Sequence, residues 1–331
     1  MELLITGGLG FIGSNFIRYM LTKYSDIRVT NIDKFSIGAN PANLSNVEKD
    51  SRYELVKGDI ANKTIVEKFM EEKDAVVNFA AETHVDRSIS EPWPFINSNI
   101  LGAVNLFEVA KKQRKRILHI STDEIYGDTI KGSFREGDKV NPSSPYSASK
   151  ASADLFAQAY RRTHNLDVLL VRCTNNYGPY QFPEKLIPKT IIRALAGLLV
   201  PVYGRGQNIR DWIYVQDFCE ALDLILNKGK SGEIYNVSAG NERTNIEVVK
   251  TILNFIGKSE DTITFVEDRP GHDIRYSLDS SKIRLEFGWK PKRGFKKALK
   301  ETVNWYIHNE WWWKPIATEE VLHPTPWKLK W

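Results

Sequence analysis

The chain opens on an apolar run, Glu2 to Ile5, that leads directly into Thr6-Gly7-Gly8-Leu9-Gly10-Phe11-Ile12-Gly13. No other stretch narrows the fold as far. A buried strand, a glycine turn and an amphipathic helix to about Tyr24 form the opening of a βαβ unit. Glycines are required where backbone must lie against a pyrophosphate and where the helix must pack tightly on the strand, so that its N-terminal amides face the negative charge. The spacing reads either as Gly7-x-x-Gly10-x-x-Gly13 or as Gly8-x-Gly10-x-x-Gly13. A second strand, Arg28 to Ile32, ends in Asp33, twenty residues after Gly13, where a ribose-binding carboxylate is expected. A carboxylate there accepts from ribose hydroxyls and repels a 2′-phosphate, which favours NAD over NADP; Lys34 beside it works against that preference.

The rhythm then repeats. A strand at Tyr53 to Val56 ends in Gly58-Asp59-Ile60, a helix follows to about Glu71, and a strand at Ala75 to Phe79 ends in Ala80-Ala81-Glu82-Thr83-His84. A helix from about Pro94 to Lys112 precedes a strand at Arg116 to Ile120, and a long helix from Tyr146 to about His164 precedes one at Val168 to Val171. Strands alternating with helices predict an α/β fold, a doubly wound parallel sheet of Rossmann type, over residues 1–178. Beyond it Pro179, Pro183, Pro188 and Pro201 punctuate the chain, and strands at Asp211 to Val215, Glu233 to Val237 and Ile263 to Val266 alternate less regularly. Residues 179–331 read as a smaller, partly interleaved substrate domain, with part of 205–240 returning to the sheet.

Composition excludes several classes of function. A formal net charge of +5, from 46 basic and 41 acidic residues, is too even for a nucleic-acid surface and suits an anionic small ligand. With only Cys173 and Cys219, neither a disulfide framework nor a cysteine metal site is expected, and a reducing cytoplasm is the default compartment. No apolar run approaches bilayer-spanning length, so no membrane association is expected. Six of the nine tryptophans fall at Trp305 and after, including Trp311-Trp312-Trp313, a pattern that reads as a packing or subunit seam.

Chemistry concentrates just beyond the strand at Arg116 to Ile120, in Ser121-Thr122-Asp123-Glu124-Ile125-Tyr126-Gly127. Downstream, Tyr146 and Lys150 stand four residues apart, on one face of a helix. A phenol with an unperturbed pKa of about 10 is a poor base unless a nearby positive charge stabilises its phenolate. Lys150 supplies that charge, and with Thr122 the pair resembles the reaction centre of the short-chain dehydrogenase/reductase superfamily, in which the tyrosine moves an alcohol proton while hydride passes to nicotinamide. Alcohol oxidation alone needs no second acid and base, so Asp123 and Glu124 predict a further step. Once a sugar alcohol is a ketone, the neighbouring C–H is acidic, and a carboxylate can remove it while a carboxylic acid protonates a β-hydroxyl and expels water. Adjacent strand residues face opposite ways, so both carboxylates reach one pocket only if the backbone bends here.

Longer stretches sharpen the resemblance. Thr122 to Gly127, Tyr146 to Lys150, Ala80 to Ser88, Asn175 to Pro188, Asn208 to Trp212 and Arg269 to Asp273 are similar to the dTDP-glucose 4,6-dehydratase family, over residues 1 to about 300. Thr83 stands where that family commonly has Ser, and Ile125 where it commonly has Val.

The resemblance implies that Tyr146 is the base at the C4 hydroxyl, Asp123 the acid for the departing C6 hydroxyl and Glu124 the base at C5, with Thr122 and Lys150 completing the centre. For NAD it implies Gly7, Gly10, Phe11, Ile12 and Gly13 in the glycine turn, then Asp33, Lys34 and Ser36 after the second strand. Asp59, Ile60, Phe79, Ala80, Ala81, Thr83 and Ser98 follow, with Tyr146, Lys150 and Asn176 by the nicotinamide. Thr83 and Thr122 would hold the hexose, and Asp86 would also bind substrate. Asn175, Lys185, Leu186, Arg210, Asn245, Arg269 and His272 would embrace the nucleotide diphosphate, with Pro201 and Tyr203 shaping the pocket for the base. It further implies a homodimer formed through the helices around residues 94–112 and 145–164.

Overall fold

The computed structural model describes residues 1–330. Its first half alternates as the apolar runs predict: β1 (Glu2–Thr6), α1 (Phe11–Lys23), β2 (Arg28–Asp33), β3 (Tyr53–Lys57), α2 (Lys63–Met70), β4 (Ala75–Asn78) and a short α3 (Val85–Ser90). The helix expected from about Pro94 is built in three pieces, α4 (Trp93–Phe95), a wider π-type stretch at Ile96–Gly102 and α5 (Ala103–Gln113). Then come β5 (Arg116–Thr122), α6 (Pro145–His164), β6 (Val168–Cys173) and β7 (Asn175–Tyr177). The second half runs α7 (Leu186–Leu195), β8 (Val200–Tyr203), β9 (Ile209–Tyr214), α8 (Val215–Lys228), β10 (Ile234–Val237), β11 (Glu242–Thr244), α9 (Asn245–Ile256), β12 (Ile263–Val266), α10 (Ser281–Phe287), α11 (Phe295–His308) and α12 (Glu310–Trp313).

The strand expected at Asp211 to Val215 begins two residues earlier and ends one residue earlier, because Val215 already opens α8. Phe218, Ala221, Leu222 and Ile225 recur there at helical spacing and are buried beneath the sheet, a period masked in the sequence by the strand running straight into the helix.

Seven strands form one parallel sheet in the order β10-β6-β5-β4-β1-β2-β3. Six of the seven strands are buried on both faces, and β3, at the edge, is half-exposed. Leu3 and Ile5 of β1 join Phe16, Phe218 and Leu222 on one side, while Leu4 between them joins Val66, Leu106 and Phe107 on the other. That is why these strands read as continuous apolar runs and not as alternating ones. The strand order reverses between β1 and β4, which opens a crevice at their carboxyl ends. Polar side chains floor it: Thr6 Oγ1 donates to Asn78 Oδ1 at 2.7 Å, and the same oxygen accepts from Ala80 N at 3.1 Å.

Beyond the sheet, β11-β9-β7 and β12-β8 form two small sheets over a second core that includes Ile187, Ile191, Trp212, Val248, Leu299 and Trp312. Trp312 and Trp313 are buried within this chain, so most of the aromatic tail is intramolecular packing. No helix among the described residues is long and apolar enough to cross a membrane.

One charged pair sits in the core of the main sheet. Arg172 on β6 donates through Nε to Asp154 of α6 at 2.8 Å, with both side chains at most 2% exposed. The same guanidinium donates to the Tyr126 hydroxyl at 2.5 Å and to Glu136 O at 3.1 Å, and Tyr126 donates on to Asn236 Oδ1 of β10 at 3.0 Å. Removing one member of a buried pair strands the other charge. Asp154→Ala is expected to cost about 3–5 kcal/mol in urea unfolding, with Asp154→Leu combined with Arg172→Met recovering most of it.

Candidate active site

The glycine turn is built for close approach. Gly7 has φ of +71°, and a Cβ on it would lie 2.6 Å from the backbone of Ala80. A Cβ on Gly13 would lie 2.6 Å from Gly7 O, so α1 could not close on the turn. Gly7, Gly10 and Gly13 all line the crevice, whereas Gly8 gives its amide to Asn31 Oδ1 at 2.9 Å. The first of the two spacings is thus the one that faces the crevice. Asp33 is held rigid, with Oδ2 accepting from Leu9 N at 3.0 Å and Oδ1 from Phe35 N at 2.9 Å. Lys34 pairs with Glu82 at 3.1 Å and donates to Ser98 Oγ. Its charge is spent inside the protein, which removes its opposition to the preference for a cofactor without a 2′-phosphate.

At the reaction centre, β5 ends at Thr122 and a single 3₁₀ turn, Asp123–Tyr126, begins at once. Thr122 caps it, its Oγ1 accepting from Glu124 N at 3.3 Å while donating to Asp123 Oδ1 at 3.2 Å. This is the bend that two adjacent carboxylates require, and both line the crevice. Tyr146 is set by a capping box: Ser144 Oγ accepts from Ser147 N at 3.1 Å, Ser147 Oγ accepts from Ser144 N at 2.9 Å, and Pro145 occupies the first helical position. Lys150, one turn on, gives a 2.7 Å hydrogen bond to Ile120 O. Its ammonium is therefore anchored to the end of β5 and not bonded to the phenol.

Burial divides the titrating groups. Asp123 is pushed well above the ordinary carboxylate range by desolvation and by the neighbouring Glu124 charge, and its Oδ2 has no partner among the described residues. Glu124 is also raised by burial, but the guanidinium groups of Arg269 and Arg210 and the ammonium of Lys185 pull it back. Tyr146 is pushed up by burial and by the Glu124 charge. Lys150 is pushed down to about 8 by burial, against the pull of Asp154.

Around this centre lies a crevice of about 1490 Å³, its open mouth included. All the residues named above for the cofactor line it, as do the five of the reaction centre, Asn175 and Lys185. Asp86, Leu186, Pro201, Tyr203, Arg210, Asn245, Arg269 and His272 do not. Several of these form an adjoining charged layer. Asp86 accepts from Tyr203 OH at 2.8 Å and from Arg269 NH1 at 2.9 Å, Arg210 donates to Asp273 O at 2.9 Å, and His272 Nδ1 pairs with Asp268 at 2.6 Å. Lys185 donates to Thr83 O at 2.7 Å.

Two features of the site were missed in the sequence. Glu184 lines the crevice, pairs with Arg87 and stands 3.6 Å from Lys185; it lies inside the Asn175 to Pro188 stretch, where Glu beside Lys was the available signal. Asn99 holds the Glu82 peptide from both sides, accepting from its N at 2.8 Å and donating to its O at 3.0 Å, and no local pattern announces that.

The cofactor inferred from the sequence fits these residues. The cradle at Gly7 and Gly13 admits no side chain, and Asn176 Oδ1, buried on the crevice wall, lacks a partner among the described residues.

Comparison with known proteins agrees. The family described as GDP-mannose 4,6 dehydratase matches residues 4–302. The dTDP-glucose 4,6-dehydratase of Streptomyces niveus is 46% identical over 98% of this chain and 98% of its own length. The chain belongs to the dTDP-glucose 4,6-dehydratase family. A solved member from Streptomyces venezuelae, crystallised with NAD, superposes with a TM-score of 0.94 at 44% identity, covering 96% of this chain and 100% of that one. The UDP-glucuronic acid 4-epimerase of Bacillus cereus, also solved with NAD, shares the architecture at a TM-score of 0.88 but only 27% identity, over 93% of this chain and 99% of its own. The dehydratase family model stops midway along α11, so the tryptophan-rich tail lies outside it.

Because Lys150 holds its proton less tightly folded, at about 8, than in the ordinary range near 10.5, the unfolded chain binds more protons there between those two values. Stability contributed by this position therefore rises with pH across that window. Lys150→Met is expected to flatten the rise, read as unfolding free energy in urea at pH 7.5, 9 and 10.5 for both proteins.

Proposed function

We infer that this chain is an NAD-dependent lyase that converts dTDP-glucose to dTDP-4-keto-6-deoxyglucose, with Thr122, Asp123, Glu124, Tyr146 and Lys150 as its reaction centre. The observation that carries the reading is the 3₁₀ turn at Asp123–Tyr126, which turns two carboxylates of unequal acidity into the crevice that Tyr146 also lines. Pairs of titrating groups pushed apart by their surroundings divide into acid and base.

Tyr146 takes the proton of the C4 hydroxyl, with Thr122 Oγ1 hydrogen-bonding the same oxygen. The glycine turn, Asp33 and Asn176 would hold NAD, which would supply a reversible hydride acceptor for C4 and C6. With a ketone at C4, Glu124, favoured as carboxylate by Arg269, Arg210 and Lys185, removes the C5 proton. Asp123, kept protonated by burial, gives its proton through the unpartnered oxygen to the C6 hydroxyl, which leaves as water. Glu124 then returns a proton to C5. A 4-epimerase needs no such acid–base pair, and this separates the two activities on a shared fold.

Residues 179–331 supply the nucleotide side of the substrate. Lys185, Arg210 and Arg269 provide fixed cations for a diphosphate, the two arginines with planar paired donors. The chain works as a homodimer in the cytoplasm. Leu101, on the stretch leading into α5, and Leu155 and Phe156, on α6, are 53%, 53% and 43% exposed, an apolar surface of the kind helices bury between subunits. Its two free, buried thiols suit a reducing compartment.

With purified protein and dTDP-glucose in deuterated water, the product is expected to carry a single solvent deuteron at C5. Glu124→Gln is expected to form NADH absorbance on adding substrate yet release product at least about 100-fold more slowly, the scale of a lost general base. Product release by that variant at the parent rate would remove Glu124 from the C5 step. Light scattering is expected to give twice the chain mass, and Leu155→Glu with Phe156→Glu to shift it to monomer.

A further inference from the structure

The tryptophan-rich tail follows residue 302, where the family match ends, yet it does more than fill space. After α11 the chain turns through α12 and crosses the outside of α7, where Arg193 NH1 donates to Leu322 O at 2.8 Å and Lys189 Nζ to His323 O at 3.2 Å. It ends in a 3₁₀ turn, Pro326–Lys328, packed on α3.

Each end of this segment touches a different binding element. At the first, Trp312, 1% exposed, donates through Nε1 to Asn43 Oδ1 at 2.7 Å across 269 residues of sequence. Asn43 donates in turn to Leu9 O at 2.8 Å, and Leu9, between Gly8 and Gly10, gives its amide to Asp33. The indole thus reaches the glycine turn through one side chain. Its ring is fixed edge-on against Tyr180, whose opposite neighbour is the Arg18 guanidinium at 3.9 Å. At the other end, Trp327 packs edge-on against Tyr203 with ring centroids 4.8 Å apart, and Tyr203 holds Asp86, which holds Arg269.

We propose that the segment Glu310 to Lys328 is a strap whose two ends act as separate positioning devices, Trp312 setting the cofactor's glycine turn through Asn43, and Trp327 setting the nucleotide-sugar wall through Tyr203. The proposal rests on the cofactor and substrate assignments made above. Without the indole N–H, Asn43 is free to turn and Leu9 loses a fixed partner, so the backbone that must lie against the pyrophosphate is no longer held. Without the indole of Trp327, Tyr203 loses the surface that keeps its hydroxyl on Asp86, and Arg269 loses its orientation.

The test uses the full chain, stripped of bound nucleotide, with NAD and dTDP as separate probes in titration calorimetry. Trp312→Phe keeps a ring and removes the donor; it is expected to weaken NAD about five- to ten-fold, the scale of one hydrogen bond, and leave dTDP unchanged. Asn43→Ala is expected to reproduce that pattern. Trp327→Leu is expected to weaken dTDP by a similar about five- to ten-fold factor with NAD unchanged, and Trp327→Phe to restore most of the loss. If the variants lower the melting temperature while both dissociation constants stay at the parent values, the tail is packing only and the proposal falls. Equal weakening of both ligands by either variant would also overturn the division of labour. Both readouts are equilibrium constants, so a parent chain that binds both probes but releases no dehydrated sugar would count against the function and not against the strap.

Discussion

The buried guanidinium of Arg172 is the interaction on which the working end of the sheet depends. It ties α6 to β6 through Asp154 and reaches across to the hydroxyl of Tyr126, the last residue of the turn that carries Asp123 and Glu124. A lone charge at that depth would be untenable, and the cost of burying it is offset by the Asp154 carboxylate and by hydrogen bonds to Tyr126 and Glu136 O. The outcome is a turn clamped at both ends, by the Thr122 hydroxyl at its start and by Arg172 and Asn236 at its finish. Two carboxylates that a regular strand would send to opposite faces are held in one cavity, and the cavity's uneven charge sets their acidities apart.

The same economy of charge explains selectivity for the cofactor. Lys34 beside Asp33 is engaged by Glu82 and Ser98, and Asp33 is locked by two backbone amides. A cation that is already paired offers little to an additional phosphate, while a fixed carboxylate still has lone pairs for hydroxyls. The preference follows from what each charge is already doing, and not from the residue types alone.

Much of this was legible in the chain because parallel strands buried on both faces leave unbroken apolar runs, and each run here ends in a polar cluster that lies at the crevice. Gly7, Gly13 and Asp33 were legible for the same reason, as each answers a local geometric demand. What escaped the sequence was set by distant partners. Asp86 meets Arg269 across 183 residues, and no window of sequence contains both. The choice between the two glycine spacings turned on Asn31, which captures the Gly8 amide from the next strand. Lys150 was expected to lend its charge to the Tyr146 phenol, and the hydrogen bond that anchors it, to Ile120 O, was not legible, since helical spacing fixes which face a side chain occupies and not which atom it reaches. The boundary between β9 and α8 was hidden because nothing but a change of period separates them.

The bond from Trp312 to Asn43 also sets an order of events during synthesis. The glycine turn leaves the ribosome long before the indole that reaches it through Asn43, which lies 269 residues further along the chain than that asparagine. Contacts between segments so far apart in sequence are slow to form, because the loop between them must close before they contribute. A nascent chain carrying an intact N-terminal half can thus hold the complete dinucleotide fingerprint without a finished site. A chain cut short before α12 keeps the turn but lacks the Trp312 bond to Asn43 beside it.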